Sequence, residues 1–264
     1  MRTPLLAMAL GLSLAGCLTI GDSGSAPNGG DDDMGSNTGS NTGSNTGSNN
    51  GSTPGVNATM DRATVPTELG KDEVITLTFT SVNSFAGNVT VTASLVDGTG
   101  AALTTGGLTV TGPTSVAVAA NGTASAMYTV KIPTDATATQ MTADLKLDAA
   151  LPSGTKSYTS ALTIAPVYSI TYGAGLAANT AMHPLTKLKV SVKKGAKISL
   201  HNADTVTHIT HGDGGFPHES TGPTGGLAGN TYTIDTTPLA VNTSGSVGCH
   251  SHGTATYATV TIVQ

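Results

Sequence analysis

Ile75-Thr76-Leu77-Thr78-Phe79-Thr80 alternates apolar and hydroxyl side chains without a break. In an extended chain successive side chains point to opposite faces, so this run offers Ile75, Leu77 and Phe79 to a core and three threonines to water. The same period of two recurs downstream. Val89, Val91, Ala93 and Leu95 alternate with Thr90, Thr92 and Ser94. Tyr128-Val130-Ile132, Met141-Ala143-Leu145-Leu147 and Leu162-Ile164 repeat it, with shorter runs near Val110 and at Val116-Val118. Gly, Pro or Asn separates the runs, which is the signature of antiparallel strands packed on one face.

Composition points the same way. Charged residues are 10% of the 264, aromatics 3%, and there is no Trp, while Thr, Ala, Gly, Val and Ser dominate. Such a chain is expected to be all-β. A net charge of −5 is mild for this length and gives no reason to expect a nucleic-acid partner. About seven strands in about 110 residues predict an immunoglobulin-like β-sandwich over 56–166. That segment holds no His and no Cys, and its acidic residues are scattered, so it reads as a spacer or docking domain. Pro166 marks the expected boundary to a second β-sandwich over 167–264. There Leu188, Val190 and Val192 alternate with lysines and Ser191, and Lys194-Gly195 makes a turn. Ile198 and Leu200, Tyr232-Thr233-Ile234, and Ala258-Val260-Ile262 supply further strands.

Residues 1–17 have the form of an export signal. Arg2 precedes an apolar stretch from Pro4 to Leu14, too short for an ordinary membrane-spanning helix. Leu14-Ala15-Gly16-Cys17 resembles the lipobox of bacterial lipoproteins, which implies cleavage before Cys17 and lipidation of its thiol. With no aspartate after Cys17, the resemblance implies an outer-membrane anchor, the folded part facing the periplasm or the cell exterior. Residues 18–55 are a Gly/Ser/Asn/Thr-rich linker with no apolar surface to bury, expected to be disordered. About 35 flexible residues reach roughly 30–35 Å, a leash between membrane and sandwich.

The chemistry-bearing residues lie in the second sandwich. All seven histidines fall after residue 180. Cys249 and His252 sit three positions apart before the last strand, and His208 closes the run that begins at Lys197. With Cys17 taken by lipid, Cys249 has no disulfide partner in the chain, and a lone exported thiol needs something to hold it. One sulfur and two imidazoles form the trigonal set that suits copper.

The order of features over about 168–264 resembles the cupredoxin (plastocyanin-like, blue copper) family. The turn Lys194-Gly195 leads into Ile198-Ser-Leu-His-Asn-Ala-Asp204 and then Thr207-His208-Ile209. Gly226-Leu-Ala-Gly-Asn-Thr-Tyr232 precedes the last loop, and Cys249-x-x-His252 is followed by Thr259-Val-Thr-Ile262. The resemblance implies a Greek-key sandwich in which His208, Cys249 and His252 bind one mononuclear type 1-like copper. It also implies single-electron exchange with a redox partner in the cell envelope, and no enzyme activity. Copper storage, delivery or tolerance is the alternative. Gly248 before Cys249 departs from the multicopper oxidases, which place histidines on both sides of such a cysteine.

Two residues stand as alternative ligands. His218, in Gly215-Phe-Pro-His218, resembles the surroundings of the first histidine in plastocyanins and rivals His208. The family's axial methionine is missing from Gly253-Thr-Ala-Thr-Tyr-Ala258, so the axial position is expected to be empty or to hold a backbone carbonyl, water or hydroxyl oxygen; Met182, otherwise read as core filling, is the alternative. His211 is expected on the opposite strand face from His208, His250 facing away from the metal, and His183 and His201 at the surface. Lys187, Lys189, Lys193, Lys194 and Lys197 form a basic run, a solvated strand face or a patch for an acidic partner.

Overall fold

The computed structural model describes residues 53–173, 188–219, 226–249 and 258–264. The signal with Cys17, nearly all of the 18–55 linker, Met182, His183, His250 and His252 lie outside the described residues.

The chain is all-β, as its alternation requires. Nine strands precede the undescribed segment 174–187: β1 Gly55–Met60, β2 Thr64–Leu69, β3 Asp72–Val82, β4 Gly87–Val96, β5 Thr109–Thr111, β6 Ser115–Val118, β7 Thr123–Lys131, β8 Met141–Leu151 and β9 Gly154–Tyr172. Six come after it: β10 Leu188–Lys193, β11 Lys197–Asn202, β12 Thr210–Gly212, β13 Thr231–Asp235, β14 Ser244–Cys249 and β15 Ala258–Val263. Ile75, Leu77 and Phe79 on β3 are buried, and so are Val190 and Val192 on β10 and Val260 and Ile262 on β15. Each such side chain contributes about 1.5–3 kcal/mol by leaving water. Among the described residues no helix is long and apolar enough to cross a membrane.

Three sheets form. One runs β1-β3-β7-β5, a second β10-β15-β14-β12, and a third β13-β11-β9-β8-β4-β6 with β2 also on β9. The third sheet joins the two halves of the chain through the 19-residue β9. Its Ala161–Ile164 stretch pairs with both β8 and β2, and Tyr168 pairs with both Leu69 of β2 and Ile198 of β11. A strand has two edges, so β8 and β11 occupy the same edge in succession. The change of partner falls between Ile164 and Val167, beside a register shift in β2 at Glu68/Leu69. Pro166 therefore sits where neither neighbour on that edge needs its missing N–H, which is how a proline is tolerated inside a central strand.

Residues 50–264 form one compact unit with a continuous core. The Tyr168 ring packs over Gly70 and Thr134, and Thr134 Oγ1 donates to the Ser191 carbonyl at 2.6 Å. Lys193 and Gln264 share a cleft with Ala136, Thr139 and Met141. The first half thus covers the end of the second where β10 finishes and β11 begins. The other end of the second half, where β9, β11 and β14 finish, carries His208 and Cys249. The basic residues Lys193, Lys194 and Lys197 lie at the covered end, away from those ligands.

Candidate metal centre

The site is built on the last residues of β9 and β11, where Tyr172 and Asn202 are register partners. The Ala203 N–H donates to the Tyr172 carbonyl at 2.9 Å, ending the parallel ladder. Asn202 is 1% exposed, and its side chain shapes the turn after β11. Its Oδ1 accepts the Asp204 N–H at 2.9 Å, an Asx turn, and its Nδ2 donates to the carbonyls of Val206 and Gly226, each at 2.7 Å. This local bonding takes the chain out of the strand and lets Asp204 face inward.

Asp204 is 5% exposed and holds His208. Its Oδ1 accepts the Thr205 N–H at 2.7 Å, and its Oδ2 lies 3.1 Å from His208 Nε2. His208 is fully buried, its backbone N–H donates to the Gly226 carbonyl at 2.8 Å, and its ring stacks on Tyr172 with centroids 5.1 Å apart. A carboxylate on one nitrogen fixes the tautomer and the ring angle, the usual support of a metal-binding imidazole. With Nε2 given to Asp204, Nδ1 is the nitrogen with which the ring would bind a metal.

Cys249 ends β14 as a buried thiol. β12 pairs antiparallel with β14 in the register Thr210↔Cys249 and His211↔Gly248. The thiol is thus cross-strand from Thr210, two residues beyond His208. Thr210 is buried and His211 exposed, so the expected alternation of faces holds. His218 is exposed, its Nδ1 2.6 Å from the Glu219 carbonyl and its ring 4.7 Å from that of His211. His201 is half-buried beside Thr231 Oγ1 at 3.1 Å. The register therefore puts Cys249 across from Thr210, two residues along the chain from His208. His252, His250, His183 and Met182 lie outside the described residues. Among the described residues no three His, Cys, Asp or Glu side chains form a metal-sized group.

Three residues support the site, and the sequence marks them unequally. Glu219 is 3% exposed, and its two carboxyl oxygens accept the N–H groups of Thr210 and Gly226, both at 2.9 Å. It ties the start of β12 to Gly226, whose carbonyl takes the His208 N–H. Burial raises the Tyr232 phenol above its ordinary value, and the nearby Glu219 adds to that. Nothing in the sequence signals Glu219. Tyr172 could have been found, since Tyr168, Ile170 and Tyr172 share a strand face. Asp204 lies four residues from His208, a spacing that allows a local pair. Gly226 completes the frame: a Cβ there would lie 2.1 Å from the His208 carbonyl oxygen, so no side chain fits.

No family model and no curated protein matches the chain. Among solved structures, one chain from a Clostridium perfringens family 123 glycoside hydrolase is 13% identical over 48% of this chain, at a TM-score of 0.32. This chain spans only 31% of that one. A chain of the Salmonella enterica SafA pilin–SafB chaperone complex is 13% identical, covering 79% of this chain and 96% of its own, at 0.30. The Pseudomonas aeruginosa CupB2 chaperone is 15% identical, covering 71% and 89%, at 0.27. TM-scores this low establish no shared fold with any of them.

Proposed function

We propose that this chain is a cupredoxin-type copper protein that passes single electrons in the bacterial cell envelope, with His208, Cys249 and His252 holding one copper. The observation that carries the reading is the buried His208 ring, gripped through Nε2 by Asp204 and stacked on Tyr172, on the ladder end that also buries the Cys249 thiol. Nitrogen and soft sulfur donors on a rigid scaffold fit copper better than magnesium or calcium, which take oxygen.

Copper bound there would supply the one-electron chemistry. The chain's own groups do the rest. Asp204 holds the Nε2 proton and the ring angle, Tyr172 and the neighbouring core exclude water, and the β scaffold keeps the donors in place as charge changes. No substrate is transformed. Cys17 would carry the lipid and residues 18–55 the leash. The first half is a spacer that leaves the ligand-bearing end open to a redox partner.

The test is the visible spectrum of the copper-loaded protein. An intense thiolate-to-copper band is expected, and Cys249→Ser should abolish it; an unchanged spectrum in that variant sinks the assignment. His208→Ala should lose or convert the band while His218→Ala keeps it, and the reverse moves the ligand to His218. Met182→Ala should leave spectrum and potential nearly unchanged, whereas a large shift in both makes Met182 the axial ligand. A colourless protein that takes up and exchanges Cu(I) favours storage or delivery instead.

A further inference from the structure

We propose that His211 and His218 form a second metal site, on the protein surface, for a borderline divalent cation such as Zn2+ or Cu2+. It is independent of the buried centre: no ligand is shared.

The backbone brings the two residues together. After β12 the chain turns through Asp213–Pro217 and comes straight back. The Glu219 N–H donates to the Thr210 carbonyl at 3.0 Å, and Glu219 Oε2 takes the Thr210 N–H at 2.9 Å, so residue 219 opposes residue 210. His218 then opposes His211, and directly opposed residues on antiparallel segments put their side chains on one face. The rings do meet, edge to face, with centroids 4.7 Å apart.

This pairing is held from below. Phe216 is buried, and the Asp213 N–H donates to the Ser246 carbonyl of β14 at 2.9 Å. A Cβ at residue 212 would lie 2.3 Å from the Pro217 carbonyl oxygen, so Gly212 is what allows the returning segment so close. Little conformational freedom remains to be lost when a ligand binds.

The His218 ring is also held at one nitrogen. Its Nδ1 is 2.6 Å from the Glu219 carbonyl oxygen. A carbonyl can only accept, so Nδ1 carries a proton, and the neutral ring offers its lone pair at Nε2. Metal-bound histidines show this arrangement, the far N–H donated to a backbone carbonyl and the near nitrogen on the metal. Glu219 is itself pinned through both carboxyl oxygens, which makes that carbonyl a fixed anchor. Both rings are exposed, so water can complete the coordination. Imidazole suits Zn2+ and Cu2+, with Cu2+ the tighter of the two.

The test uses the full chain carrying Cys249→Ser, which removes the buried thiol, and titrates it with Zn2+ alone by calorimetry. One equivalent is expected to bind. His211→Ala or His218→Ala in that background should each weaken binding by at least about tenfold, and the pair together little more than the worse single change. His201→Ala, across the sheet beside Thr231, should change nothing. A single replacement at 211 or 218 without effect overturns the site. A second measurement needs no variant: ring-proton resonances of both histidines in the unsubstituted protein should shift together as Zn2+ is added. Resonances that stay in place also overturn it.

Discussion

Asp204 is the residue through which the candidate centre can be weakened without dismantling the fold. Its two oxygens have different duties, one taking the Thr205 N–H and the other facing His208 Nε2. Asp204→Asn keeps the volume but offers one acceptor where two are used, so either the turn or the imidazole loses its partner. Copper affinity should fall about 10–100-fold, measured by competition with a Cu(I) chelator, with about 1 kcal/mol lost from the apoprotein in urea unfolding. Glu219 acts on the fold more strongly, because both its oxygens take backbone N–H groups. Removing its carboxylate strands two buried N–H groups, so Glu219→Ala should cost about 2–4 kcal/mol in urea unfolding, and Glu219→Gln, which keeps one acceptor, about half of that. Sequence displays the proposed donors because Cys249 is one of two cysteines and His208 follows the Asn202-Ala-Asp204 approach. Their supports stay hidden, because a lone Glu or Tyr looks the same whether it is stapling a site or lying in water.

At the scale of elements, what could be read depended on length. β3, β8 and β15 are long enough to show two or three turns of alternation, and the buried side chains are those that the period selects. β12 has three residues, too few to show any period, yet it sets the register that brings Cys249 across from Thr210. β2 contains Pro66, which interrupts the pattern in Thr64–Leu69, and it joins β9 as a parallel neighbour that no local signal announces. Between β12 and β13 the decisive position is Gly226. Its carbonyl accepts both the His208 N–H and Asn202 Nδ2, and a methyl group there meets the His208 carbonyl. Gly226→Ala should push the His208 segment outward, cost at least about 2 kcal/mol and erase the copper band; a variant with native midpoint and native spectrum would refute the close packing.

On the scale of the whole molecule, Pro166 reads in sequence as a break, and the two halves do have their own alternating strands. The structure runs β9 through that proline, and the strand exchanges β8 for β11 along one edge without stopping. Two sandwiches that share a strand cannot unfold independently at low cost. Melting the first removes the β8 and β2 ladders from β9, uncovers the Tyr168 ring at Gly70, and breaks the bond from Thr134 to Ser191. The described chain should therefore lose structure in one transition. Tyr128 is buried in the first half, while Tyr172 and Cys249 are buried in the second. Tyrosine near-ultraviolet circular dichroism and the reactivity of the Cys249 thiol should then share one urea midpoint. A fragment starting at residue 168 keeps nearly all the β9–β11 pairing and every proposed ligand, so its copper spectrum should match the full chain while its midpoint falls. Two separated transitions in the full chain, with the thiol exposed at one and the first-half signal lost at another, would show that β9 is a hinge and the halves are thermodynamically separate.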